Sequence, residues 1–122
     1  MNIFQLFRIK HKKHFLANDI WINLPVKDVT KARDFFIAVG FKLNEGLGNS
    51  ENSAAIEIGS KNIILMLLER NFFKNISGNE LTDTSKSSEV LFSFDAESEE
   101  EVREIALKVE QAGGTVFLSQ RM

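Results

Sequence analysis

Ile20-Trp21-Ile22-Asn23-Leu24-Pro25-Val26-Lys27-Asp28-Val29-Thr30-Lys31-Ala32-Arg33-Asp34-Phe35-Phe36-Ile37-Ala38-Val39-Gly40-Phe41-Lys42-Leu43 is the run that decides the fold. Its hydrophobic period changes once. Ile20, Ile22, Leu24 and Val26 alternate with Trp21, Asn23 and Pro25, the period-two pattern of a strand with two different faces. Pro25 has no ladder donor and suits a strand end or an outer strand. Asp28 stands where a helix cap belongs, with a carboxylate able to accept from the first free N–H groups. Ala32, Phe35, Phe36 and Val39 then fall at i, i+3, i+4 and i+7, which predicts a helix over 29–39 with Phe35 and Phe36 on the sheet. Gly40 stops it, because glycine takes a left-handed conformation at little cost. Phe41 and Leu43 open the next strand.

Downstream, Gly46, Gly48, Asn49, Ser50 and Asn52 make a loop, and Ala54, Ile56 and Ile58 alternate as a strand. Gly59-Ser60-Lys61-Asn62 is turn chemistry. Ile63–Leu68 is apolar on both faces, as a strand covered on both sides would be. Residues 69–88 form a long connection, with a helical turn expected over 71–76 and a Ser/Thr/Asp-rich tail. The opening pattern then returns. Val90, Phe92 and Phe94 alternate, Asp95 follows, and Glu97, Glu99, Glu100 and Glu101 cluster where a helix start favours negative charge. Val102, Ile105, Ala106 and Val109 repeat the helical stripe. Ala112-Gly113-Gly114 ends it, and Thr115–Leu118 is expected as a strand. The order is β-α-β-β-β, then β-α-β.

At 122 residues the chain is expected to hold one domain with its own core. No cysteine is present, which excludes a disulfide framework, a thiol nucleophile and a cysteine metal site. A net charge of −2 argues against a generally basic nucleic-acid surface. Arg8, Lys10, Lys12 and Lys13 against Asp19 leave residues 1–19 at +3 and the remainder at −5. His11 and His14 lie in that same basic leader, so no histidine falls in the core as a general base. The leader's apolar residues precede its charges, the reverse of a secretory signal, and no stretch has the length of a membrane span. A cytoplasmic location is expected. Gly46-Leu47-Gly48 lacks the third glycine of a dinucleotide loop.

The Leu24–Phe41 run, the Ile63–Leu67 strand, the Glu89–Asp95 run and the Ala112–Val116 ending together resemble the vicinal oxygen chelate superfamily. That group includes glyoxalase I, bleomycin-resistance proteins and extradiol dioxygenases. The resemblance covers residues 20–118. It implies an α+β fold in which a βαβββ module is followed by a truncated βαβ second module (glyoxalase/bleomycin resistance/dihydroxybiphenyl dioxygenase-like). Residues 1–19 would be a basic N-terminal extension to a single glyoxalase-like domain, 20–122. Its first module would be 20–68, its connecting loop 69–88 and its incomplete second module 89–122.

Metal-dependent members hold a divalent ion on the first and last strands of each module. Those positions fall on Trp21, which cannot ligate, on Met66, a soft thioether, and on Glu89, the only match able to ligate. The fourth lies on a strand the chain lacks. The implied function is therefore metal-free and cofactor-free binding of a small, partly aromatic molecule in a cavity between modules, with catalysis left open. Its cavity-facing residues would be Trp21, Asn23, Ile64, Met66, Glu89 and Leu91. A metal-dependent dioxygenase or glyoxalase-like enzyme is one alternative, and a truncated non-catalytic assembly domain is another. A homodimer is expected, because the incomplete sheet leaves unpaired backbone and the apolar face of Ile64, Met66 and Leu68 in want of cover.

Overall fold

The computed structural model describes residues 14–46 and 48–117. It is an α+β arrangement of one small mixed sheet and three helices. The elements in order are β1 (Ile20–Val26), α1 (Val29–Val39), β2 (Lys42–Leu43), β3 (Ser53–Glu57), β4 (Ile63–Glu69), α2 (Arg70–Ser77) and α3 (Glu99–Gln111). Residues 1–13, which carry most of the basic leader, lie outside the described residues, as does Leu118. Among the described residues, no helix is long and apolar enough to cross a membrane.

The run 20–43 folds as its pattern predicts. The Asp28 carboxylate caps α1 by accepting from the Lys31 N–H at 3.0 Å. Gly40, at φ +124°, turns its N–H back to the carbonyls of Phe36 and Ile37. The four strands lie in the order β1-β4-β3-β2. β1 runs parallel to β4, while β3 is antiparallel to both β4 and β2. A parallel neighbour needs a crossover, and α1 with β2 and β3 supplies it.

Register assigns the two faces. Ile22 and Leu24 of β1 pair with Leu65 and Leu67 of β4, and these in turn with Ile56 and Ala54 of β3. This face is the core: Ala54, Ile56, Leu65 and Leu67 are buried beneath Val29 of α1, with Ala32 and Phe36 packed against them. Phe35 departs from the expectation. Successive helix residues point about 100° apart, so both rings cannot face one sheet. Phe36 takes the sheet, and Phe35 turns toward α3, set edge-on to Phe36 at 5.4 Å between centroids.

The expected helical turn over 71–76 is the two-turn helix α2, whose free N–H groups are capped by the Glu69 carboxylate. The second half of the chain departs further. α3 forms, capped by Ser98, and packs on α1. The flanking segments expected as strands, 89–94 and the described part of 115–118, join no ladder. The sheet order gives the reason. In the first half, the strands on either side of the helix are not neighbours, because β4 and β3 stand between them. An echo of β1-α1-β2 has the same two outer positions, and no described segment fills the middle. Phe92 and Phe94 instead pack by their rings, Phe92 against the core cluster and Phe94 against Phe41 at 5.3 Å.

Candidate functional site

The sheet face away from α1 carries the alternate residues of each strand. The parallel register sets Trp21 beside Ile64 and Asn23 beside Met66. On the other side of β4, β3 sets Glu57 beside Ile64 and Ala55 beside Met66. Four of the six residues expected at a ligand site are therefore neighbours on one surface. Their exposure differs sharply. Trp21 is 58% exposed and Asn23 is also exposed, while Met66 is half-buried and Ile64 only 8% exposed. The accessible part of the arrangement is an indole and an amide at the outer margin of an apolar face.

Part of this face is covered, which the sequence reading did not foresee. The loop after β2 folds back across it and brings Gly48 onto Ala55 and Met66. A β-carbon at Gly48 would lie 3.1 Å from the Ala55 Cβ and 3.2 Å from the Met66 Cε. Side-chain hydrogen bonds hold the loop down. Asn49 Oδ1 accepts from the Ala55 N–H at 3.0 Å, and its Nδ2 donates to the Asn44 carbonyl. Ser53 Oγ donates to the Gly48 carbonyl at 2.8 Å, and Asn44 Nδ2 donates to Glu57 Oε2 at 3.0 Å. Glu57 is thus engaged within the sheet. The only signal for this lock was the Asn/Ser/Gly composition of 44–53, which equally describes a free loop.

That cover corrects an expectation. Ile64 and Leu68 are buried, so the face does not lie open along its whole length. Gly48 lies over Met66 and Ala55, and α2 packs against β1 and β4.

Glu89 and Leu91 do not join the other four. Phe92 packs against the cluster on the α1 side of the sheet, and Phe94 against Phe41, so these two rings meet the face opposite Trp21. Leu91 is 90% exposed, and Glu89 is exposed as well. A cavity enclosed between two modules is therefore not what these residues line. The concave space that the second half does form lies between α1 and α3. It measures about 240 Å³ and is bordered by Gly40, Phe41, Glu101, Glu104, Ile105 and Lys108. Its lining mixes both charge signs and converges on no single group.

A divalent metal does not fit the residues at the positions that would hold one. Trp21 offers no lone pair, Met66 is soft, and Glu89 is an exposed residue on a segment that joins no ladder. Among the described residues, no three His, Cys, Asp or Glu side chains come together. What the Trp21 face offers chemically is a flat aromatic surface, apolar contact and one amide able to donate and accept.

No protein-family model matches the chain. No curated protein matches it either. Among solved structures it superposes on the one described as "Structure of hypothetical protein SA1046 from S. aureus", with a TM-score of 0.69 and 33% sequence identity. The match covers 87% of this chain and 80% of that chain.

Proposed function

We propose, for a chain that belongs to the same family as hypothetical protein SA1046 from S. aureus, metal-free binding of a small planar aromatic molecule at the Trp21 face. In this reading residues 20–68 are one βαβββ module of the vicinal oxygen chelate type, and the role is the binding one of glyoxalase-like and bleomycin-resistance-like proteins. One observation carries it: Trp21 is exposed at 58% beside the exposed amide of Asn23, at the open margin of a face whose interior residues Ile64 and Met66 are covered. An indole face stacks on another ring with roughly 0.5–1.5 kcal/mol beyond burial of area. The Asn23 amide fixes orientation by pairing with a carbonyl or N–H of the ligand.

The chain provides its own reporter. Trp21 is the only tryptophan and there is no tyrosine, so emission excited in the near ultraviolet comes from this site. Titration with a panel of planar aromatic compounds is expected to give saturable quenching, with matching heats by calorimetry. Trp21→Ala should weaken the calorimetric affinity at least about tenfold, the equivalent of 1.4 kcal/mol. Binding that survives Trp21→Ala unchanged, or no saturable response across the panel, overturns the reading.

A second reading, an assembly domain without a ligand, draws on Leu91 and Phe117, exposed at 90% and 88%. It predicts a Trp21 that ignores the whole panel.

A further inference from the structure

We propose that the basic leader, residues 1–13, docks in cis into the groove between α1 and α3, with Phe4 and Phe7 as its anchors. The groove is the cavity of about 240 Å³ bordered by Gly40, Phe41, Glu101, Glu104, Ile105 and Lys108. It falls below the roughly 300–1,000 Å³ of small-molecule sites and suits an inserted side chain instead. Phe41 and Ile105 form its apolar surface, and Phe94 extends it, its ring 5.3 Å from that of Phe41. The strip is open: Phe94 is 53% exposed, Ile105 40%, and Val102, three residues earlier on α3, 46%. A phenyl ring entering here meets two others, the contact that aromatic side chains favour.

Charge selects the occupant. Residues 20–88 hold eight basic and eight acidic side chains and come to zero. Residues 89–111 hold eight carboxylates against Arg103 and Lys108, a net −6. Residues 1–13 hold Arg8, Lys10, Lys12 and Lys13 with no acid. The ion pairs among the described residues are Arg33–Asp34 and Lys74–Glu80, so none engages a carboxylate of 89–111. Lys108 points inward, its Nζ 3.9 Å from where a β-carbon of Gly40 would lie, at the carbonyl end of α1. Glu101 and Glu104 are left at the rim. The helix dipole accounts for acids in the first turn of α3, but Glu104 and Glu110 lie beyond it. An apolar strip with an acidic rim is the complement of a segment in which Ile3, Phe4, Leu6 and Phe7 precede four cations.

Topology brings the two together. Trp21, Ile64, Glu57 and Lys42 make one row across the sheet, so β1 and β2 begin at the same end. The leader joins β1 at that end, and Gly40 and Phe41 lead into β2 there. The order β1-β4-β3-β2 puts three strand spacings between them, roughly 14 Å. Residues 8–19, which link Phe7 to β1, span up to roughly 40 Å when extended. The groove lies with α1, on the sheet face away from Trp21, so the inference stands apart from the ligand reading.

Paramagnetic broadening in the full chain tests this. The chain has no cysteine, so Gln5→Cys offers one site for a nitroxide label. The label should erase the amide signals of Phe41, Glu104 and Ile105 and spare those of Ser53 and Leu68, which pair at the other end of the sheet. Raised salt should return the lost signals. So should Glu104→Lys, at an exposed position, and the double change Phe4→Ser with Phe7→Ser, each with unchanged circular dichroism. Mixing isotope-enriched chains without the label and labelled chains without the isotope should give no broadening. Groove signals that the label leaves intact overturn the proposal and leave the groove to a separate basic partner. Broadening indifferent to Glu104→Lys and to the loss of Phe4 and Phe7 also overturns it. Broadening that passes between chains in the mixture overturns docking in cis and makes a second copy the occupant.

Discussion

Phe35 and Gly114 stand so close that a β-carbon on Gly114 would lie 2.9 Å from the Phe35 ring, and 2.7 Å from Val109 Cγ1. The contact joins the two halves of the chain. α1 offers the Phe35 ring, α3 offers Val109, and the chain after α3 passes over both at the one residue type without a side chain. Gly113, its neighbour, has the opposite requirement: φ is +96°, and nothing lies within 4 Å of the missing β-carbon.

Gly114→Ala is expected to destabilise by about 1–3 kcal/mol, because the new methyl overpacks a filled space. Gly113→Ala should cost about 1 kcal/mol, from backbone strain alone. Denaturant melts of the two variants separate the mechanisms. Shortening Phe35 to Leu should recover stability in the Gly114→Ala background and do nothing for Gly113→Ala.

Phe36 is the aromatic residue of α1 that packs on the sheet cluster. Phe36→Ala should lose about 3 kcal/mol, the lower end for large-to-small core changes because the ring is only half-buried. Leu91→Ala, at a residue 90% exposed, should stay within about 0.5 kcal/mol of the parent. Equal losses at the two positions would mean that segment 89–94 is buried in solution.

The cap of α1 can be tested at Asp28. Asp28→Ala removes the acceptor for the Lys31 N–H and should cost about 1 kcal/mol, while Asp28→Asn or Asp28→Ser keeps most of it. Thermal melts of the three variants in that rank order are the expected result.

The Asp83 carboxyl is held below the ordinary aspartate value, chiefly by the Ser85 hydroxyl at 2.6 Å and then by the Ser85 N–H at 3.1 Å. A depressed folded-state value means a contribution present above the unfolded pKa and lost as pH falls through the folded one. The window therefore lies on the acid side of the ordinary aspartate range. Following the carboxyl carbon by NMR should show Asp83 titrating below the ordinary aspartate value. Ser85→Ala should move it up toward that value.

Local chemistry was legible in the sequence wherever the cause was local. The change from period two to period 3.6 at Asp28 gave β1 and α1 their bounds, since both patterns depend only on which residues fall on one face. Asp28 and Gly40 marked the helix ends because caps act within a few residues of the chain. Alternation put Trp21 with Asn23 and Ile64 with Met66, because side chains alternate strictly along a strand. The joining of the two pairs on one surface was implied by the family resemblance and follows in the structure from the β1–β4 register.

Partners distant in the chain were decided by the tertiary structure. Strands at 89–94 and 115–118 were expected from the residue pattern, but a strand exists only with a neighbour to bond. The order β1-β4-β3-β2 leaves those two positions without one among the described residues. Which of Phe35 and Phe36 faces the sheet is a rotation of some 100° that depends on where α3 docks. The fold-back of Gly48 onto Met66 depends on amide and hydroxyl pairs between segments, and composition cannot tell a locked loop from a free one. Periodicity is a property of the chain alone, whereas pairing belongs to the space the chain encloses.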